Sequence, residues 1–84
     1  METTFRENVL DQRGIYPLAR DVKLDDIVEI NIYHPFDGKF KHVGYVTKID
    51  ESAINLSSIH RENDELRLDK EFSLRMITEY RVLG

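Results

Sequence analysis

The chain of 84 residues contains no cysteine and no tryptophan, only two prolines and four glycines. Without cysteine there is no disulfide framework, no thiolate metal site and no cysteine nucleophile. No apolar run approaches the ~20 residues that a membrane-spanning helix needs. The first ten residues, METTFRENVL, lack the basic start and apolar stretch of a signal peptide. A cytoplasmic location is therefore expected. A basic excess is missing too. The formal net charge is −4, whereas binding to phosphate backbones draws most of its affinity from cations.

What is present fits one small folded domain. Hydrophobic content is 40% and charged content 33%, a soluble globular balance. At this length the unfolded chain hides only ~60–65% of its surface on folding, so the core must be thin.

Near the N-terminus, Thr4 and Glu7 have capping-box spacing, with Phe5, Val9 and Leu10 following on one helical face and Gly14 placed to end the turn. This pattern predicts a short helix over residues 4–12. Ile15, Tyr16 and Leu18 around Pro17 read as an extended connector. Residues 1–21 are thus expected as helix and connector, and 22–84 as the β domain.

From residue 26 the period changes to two. Val28, Ile30 and Ile32 alternate with Glu29, Asn31 and Tyr33, placing β-branched residues on one buried face. His34-Pro35 ends that strand, and Asp37-Gly38 supplies a hairpin turn. Phe40 to Ile49 reads as a long second strand, with a bulge or register change expected near Gly44. Asp50-Glu51-Ser52 turns into a third strand over 53–59, with Ile54 and Leu56 inward. Residues 60–65 form a charged stretch, and Leu66 and Leu68 alternate as a fourth strand. Residues 70–77 fit a helical turn through Phe72, Met76 and Ile77, or a strand through Phe72 and Leu74. Residues 78–83 read as the last strand, with Tyr80 and Val82 on one face. One helix followed by five short strands reads as a small, mainly β barrel built on Val28, Ile30, Val46, Ile54, Leu56 and Leu68.

The segments Gly44-Tyr45-Val46-Thr47-Lys48-Ile49-Asp50 and Ile54-Asn55-Leu56, after the Asp-Gly turn, resemble the first motif of Sm-like small barrels. Within that group the chain is most similar to the YolD-like family, and Gln12-Arg13-Gly14-Ile15 distantly resembles that family's Arg-Gly lead-in. Glu65 to Lys70 resembles the Rof group of Rho-binding antitermination regulators. Tyr16-Pro17 departs from the YolD-like pattern, which favours Lys-Trp there. The Asp50-to-Asn55 spacing misses the Sm pattern by one residue. The YolD-like resemblance implies a five-stranded Sm-like barrel and a non-enzymatic bacterial or phage accessory protein linked to DNA-damage tolerance. It carries over no catalytic residue and no cofactor.

The chemistry-bearing residues read the same way. His34, His42 and His60 lack the close spacing of metal ligands. Ser57, Ser58 and His60 lie near Asp50, but no strained nucleophile elbow surrounds them. Asp25, Asp26, Glu29, Asp50 and Glu51 read as solvated turn and strand carboxylates rather than a general acid–base pair. No metal, cofactor or catalytic site is expected. Two binding surfaces remain. Phe36 and Phe40 flank the hairpin turn with Tyr45 nearby, where large rings indicate contact with a protein partner. The alternative for Phe36 is internal packing against Phe5 and Tyr16. Lys39, Lys41 and Lys48, interleaved with aromatics, would instead suit single-stranded RNA or DNA. Exposed edge strands would also permit a homo-oligomer.

Overall fold

The computed structural model describes residues 4–57 and 69–84. It holds one antiparallel sheet of six strands: β1 (Arg6–Glu7), β2 (Ile27–His34), β3 (Gly38–Ile49), β4 (Ala53–Ser57), β5 (Asp69–Ser73) and β6 (Ile77–Val82). A five-residue helix, α1 (Pro17–Asp21), precedes β2, and a 3₁₀ turn (Leu74–Met76) joins β5 to β6. The strand order is β1-β6-β2-β3-β4-β5. The mainly β architecture expected from period-two alternation is present, but among the described residues it has six strands rather than five, and their hydrogen bonding does not close into a barrel.

The sheet is nevertheless curled. On a flat sheet β5 and β6 would stand four strand spacings of ~4.8 Å apart, or about 19 Å. Ser73 and Ile77 are joined by only four Cα steps, at most ~14 Å when fully extended. The edges must therefore bend toward each other, enclosing Val28, Ile30, Ile32, Val46, Ile54, Leu56, Leu74, Ile77 and Tyr80. Five of the six expected core residues are fully buried; Leu68 lies outside the described residues.

Two bulges keep the inner face continuous. Along β3, Val46 faces Leu56 and Ile49 faces Ile54, with the register shifting between Val46 and Lys48. Val46 and Ile49 have opposite parity, so one extra residue, Thr47, brings both inward. In β6, Tyr80 faces Ile30 and Ile77 faces Ile32, with a matching shift that leaves Thr78 over. The expected register change near Gly44 is corrected to Thr47. Gly44 serves close approach instead: a Cβ there would stand 2.5 Å from the Ser57 carbonyl oxygen.

The N-terminal helix over residues 4–12 does not form. Arg6 and Glu7 pair with Tyr80 and Glu79 of β6, and Val9 and Leu10 are exposed. The reason is Asn8, which is buried. Its side-chain amide donates to the Leu74 and Ile77 carbonyls at 2.9 and 3.1 Å, and its oxygen accepts from the Leu18 N–H at 3.3 Å. These long-range bonds outweigh a short helix that is marginal in isolation. Gly14, with φ +76°, completes a turn in which the Asp11 carboxylate accepts from the Arg13 and Ile15 N–H groups.

Helix formation moves to the stretch expected as connector. Pro17 occupies the first helical turn after an extended Tyr16, a position where its missing N–H costs nothing. Leu18 and Val22 enter the core, so a short helix does cover the sheet, from a later segment. The ambiguous 70–77 stretch contains both readings: strand through Ser73, then the 3₁₀ turn. Ser58, Ile59, the 60–65 stretch and Leu66 also lie outside the described residues.

Candidate functional site

The β2–β3 hairpin carries most of the expected binding residues. His34 faces Gly38, leaving Pro35, Phe36 and Asp37 as a three-residue loop. Gly38 has φ +84°, the left-handed conformation such loops need after a tight turn. The His34 Nδ1 accepts from the Phe36 and Asp37 N–H groups at 3.2 and 3.3 Å, so this histidine organises the loop. Phe36 is 92% exposed, and its ring centroid lies 5.9 Å from that of His34. Internal packing of Phe36 against Phe5 and Tyr16 is thereby overturned. Phe5 instead lies under the Arg81 guanidinium, 4.5 Å from the ring centre, and Tyr16 packs against the core.

Below the tip, residues opposite one another share a face. Tyr33 faces Lys39, and Asn31 faces Lys41 on one side and Glu79 on the other. With Phe40 beside them, these six residues line an open groove of about 660 Å³. Tyr33 is 49% and Phe40 44% exposed. Tyr45 stands away from the tip, opposite Ile27 and Ser57. Lys48 lies past the Thr47 bulge, opposite Asn55. The structure thus brings Phe40, Lys39 and Lys41 together and leaves Tyr45 and Lys48 elsewhere.

The charges under the groove are organised around Glu29, which is only 6% exposed on the outer face. It accepts from Arg81 Nε at 2.5 Å, and Lys41 Nζ stands 3.6 Å from its other oxygen. A carboxylate so covered needs such partners. Glu79 accepts from the Asn31 amide at 2.6 Å. Among the described residues, Lys39 has no carboxylate within ion-pair distance.

The other titratable groups are structural in their contacts. Asp50 accepts from the Ser52 and Ala53 N–H groups and the Ser52 hydroxyl; these donors hold its carboxyl below the usual aspartate value. The His42 imidazole is pushed down by burial and by Lys70, and its ring lies 5.0 Å from that of Phe72. The Tyr80 hydroxyl donates to Asp21 at 2.5 Å; burial, then that carboxylate, raises its pKa above the ordinary phenol value. Arg6 also pairs with Asp21. Ser57 is fully buried. His60 and Ser58 lie outside the described residues. Two features escaped sequence reading. Tyr33 joins the groove through cross-strand pairing with Lys39. Asn8, whose hydrogen bonds tie the N-terminal segment, was read as part of a helix. Among the described residues no helix is long and apolar enough to cross a membrane.

No family model, curated protein or solved structure matches this chain.

Proposed function

We propose that this protein is a non-enzymatic accessory module that binds another protein through the tip of the β2–β3 hairpin. The carrying observation is Phe36, a large ring at 92% exposure on a loop that His34 holds in shape. A preformed loop loses little entropy on binding, and a burial-ready ring is the usual anchor of an interface. Phe40, partly exposed beside it, extends the apolar contact. Tyr45, opposite Ile27 and Ser57, belongs at most to the margin.

The Sm-like architecture and the YolD-like reading of a bacterial or phage accessory protein linked to DNA-damage tolerance rest on the sequence resemblance; the curl of the sheet agrees with the first and leaves the second to experiment. The cytoplasm is the expected setting. Single-stranded nucleic acid is the lesser reading. Its three lysines do not form one track: Lys41 lies beside Glu29, and Lys48 sits beyond the bulge.

The test is capture of partners from a bacterial lysate by the wild-type chain and by Phe36→Ala, with folding of the variant verified by circular dichroism. A protein retained by the first and lost by the second supports the reading. Capture indifferent to Phe36, or salt-sensitive binding of labelled oligonucleotides, overturns it.

A further inference from the structure

His34 holds the hairpin tip by an arrangement that one of its two charge states forbids. Its Nδ1 accepts from the Phe36 and Asp37 N–H groups at 3.2 and 3.3 Å. An imidazole nitrogen accepts only while it carries no proton, so here the ring is neutral, with its proton on Nε2. The same Nδ1 lies 3.3 Å from the Asp37 Oδ2. Two acceptors at that distance gain nothing from each other, whereas an Nδ1–H would donate to the carboxylate as a charge-assisted bond. The two backbone bonds and the bond to Asp37 therefore exclude one another, and one proton decides between them.

Histidine is the side chain whose ordinary titration falls between about pH 5 and 8. The His34 side chain is 33% exposed, so it exchanges that proton with solvent. Tyr33 and Lys39, opposite one another in the adjoining pair, face the other side of the hairpin, and Arg75 stands on the 3₁₀ turn that packs against β2. Among the described residues Asp37 is the one charged group within ion-pair distance of the imidazole. Neither Phe36 nor Asp37 has a partner in the β2–β3 ladder, so at their N–H groups His34 takes the place of the ladder. We infer that His34 is a proton-operated latch on the tip. Neutral, it fixes the loop that presents Phe36; protonated, it turns to Asp37, releases both N–H groups to solvent and loosens the loop. Its effect on binding rests on the reading of Phe36 as the partner's anchor, and takes the form of weaker binding in acid, where the loop must be ordered again.

The experiment follows amide exchange with water in the isotope-labelled full chain at about pH 8 and about pH 5, each rate taken relative to an unstructured chain at the same pH, beside the ring nitrogen shifts of His34. Nδ1 is expected to be unprotonated at the higher pH. Protection of Phe36 and Asp37 is expected to fall several-fold at the lower pH, while that of Ile32 in the ladder stays unchanged. His34→Asn should keep the loop protected at both values, because an asparagine side-chain oxygen accepts from nearby backbone N–H groups and does not titrate. The variant also separates His34 from His42, which it retains. A proton on Nδ1 at the higher pH, protection that ignores pH, or an equal loss in His34→Asn overturns the inference. If the tip titrates as expected but the chain captures no protein through Phe36, the latch stands and the protein-binding reading falls. Capture through Phe36 by a tip indifferent to pH does the reverse.

Discussion

A methyl group on Gly44 would stand 2.5 Å from the Ser57 carbonyl oxygen and 3.2 Å from the Leu56 Cβ. The first is a backbone atom of the neighbouring strand, which cannot move aside without opening the β3–β4 ladder. Gly44→Ala is therefore expected to lower unfolding free energy by ~1–3 kcal/mol in urea denaturation; an unchanged midpoint would refute the close approach. His42 offers a titration at the same scale. Burial and Lys70 lower its folded pKa below the ordinary 6.5, so below that value the unfolded chain takes up the proton more readily. Stability should fall as pH drops below about 6.5, and His42→Gln should flatten that part of the profile of melting temperature against pH. An identical slope in the variant would remove His42 as its source. The bulge expected at Gly44 lies instead at Thr47 for a plain reason. A strand glycine marks either a bulge or a close contact, and only the neighbouring strand decides which.

Among the elements, those with a strong local period were legible and those held by distant partners were not. Val28, Ile30 and Ile32 announce β2 by alternation alone, and His34-Pro35 marks its end. Residues 4–12 carry every local mark of a helix, yet the segment is set by Asn8 and its bonds to residues 66 and 69 positions away. The stretch around Pro17 reads locally as an extended connector, although at a first turn proline starts α1 equally well. Replacing Asn8 by alanine leaves the Leu74 and Ile77 carbonyls and the Leu18 N–H without that partner, and should cost ~1–3 kcal/mol. Amide exchange should quicken most at Asn8 and Leu18; uniform exchange across the chain would argue against a local tie. The β3 bulge has an equally sharp test. Deleting Thr47 leaves Val46 and Ile49 two positions apart, both still inward on a regular strand opposite Leu56 and Ile54, so the deletion should stay folded with a melting temperature near that of Thr47→Ala. A deletion variant that fails to fold would show that the bend the bulge puts into β3 is itself required.

For the whole molecule, the exposure of Phe36 separates folding from binding. Nothing in the sequence could decide whether that ring turned inward, because Phe5 and Tyr16 were equally available partners until β1 and α1 were placed. Once Phe5 lies under Arg81 and Tyr16 packs on the core, the tip keeps its ring in solvent and gains no cohesion from it. Phe36→Ala should leave the melting temperature within about 4 °C of wild type, since surface substitutions away from packed features rarely exceed ~0.5 kcal/mol. A clearly larger drop would assign the ring to the fold and remove the main support for a binding tip. The net charge of −4 bears on the same surface from the other side. Phosphate affinity grows with each cation engaged and falls steeply with salt, and here one lysine of the candidate three is tied to Glu29 while another lies past the bulge. Labelled single-stranded RNA and DNA should accordingly show no rise in fluorescence anisotropy with the wild-type chain, even at low ionic strength. Micromolar binding that disappears at near-physiological salt, and is lost in Lys39→Glu, would assign the groove to a nucleic-acid backbone.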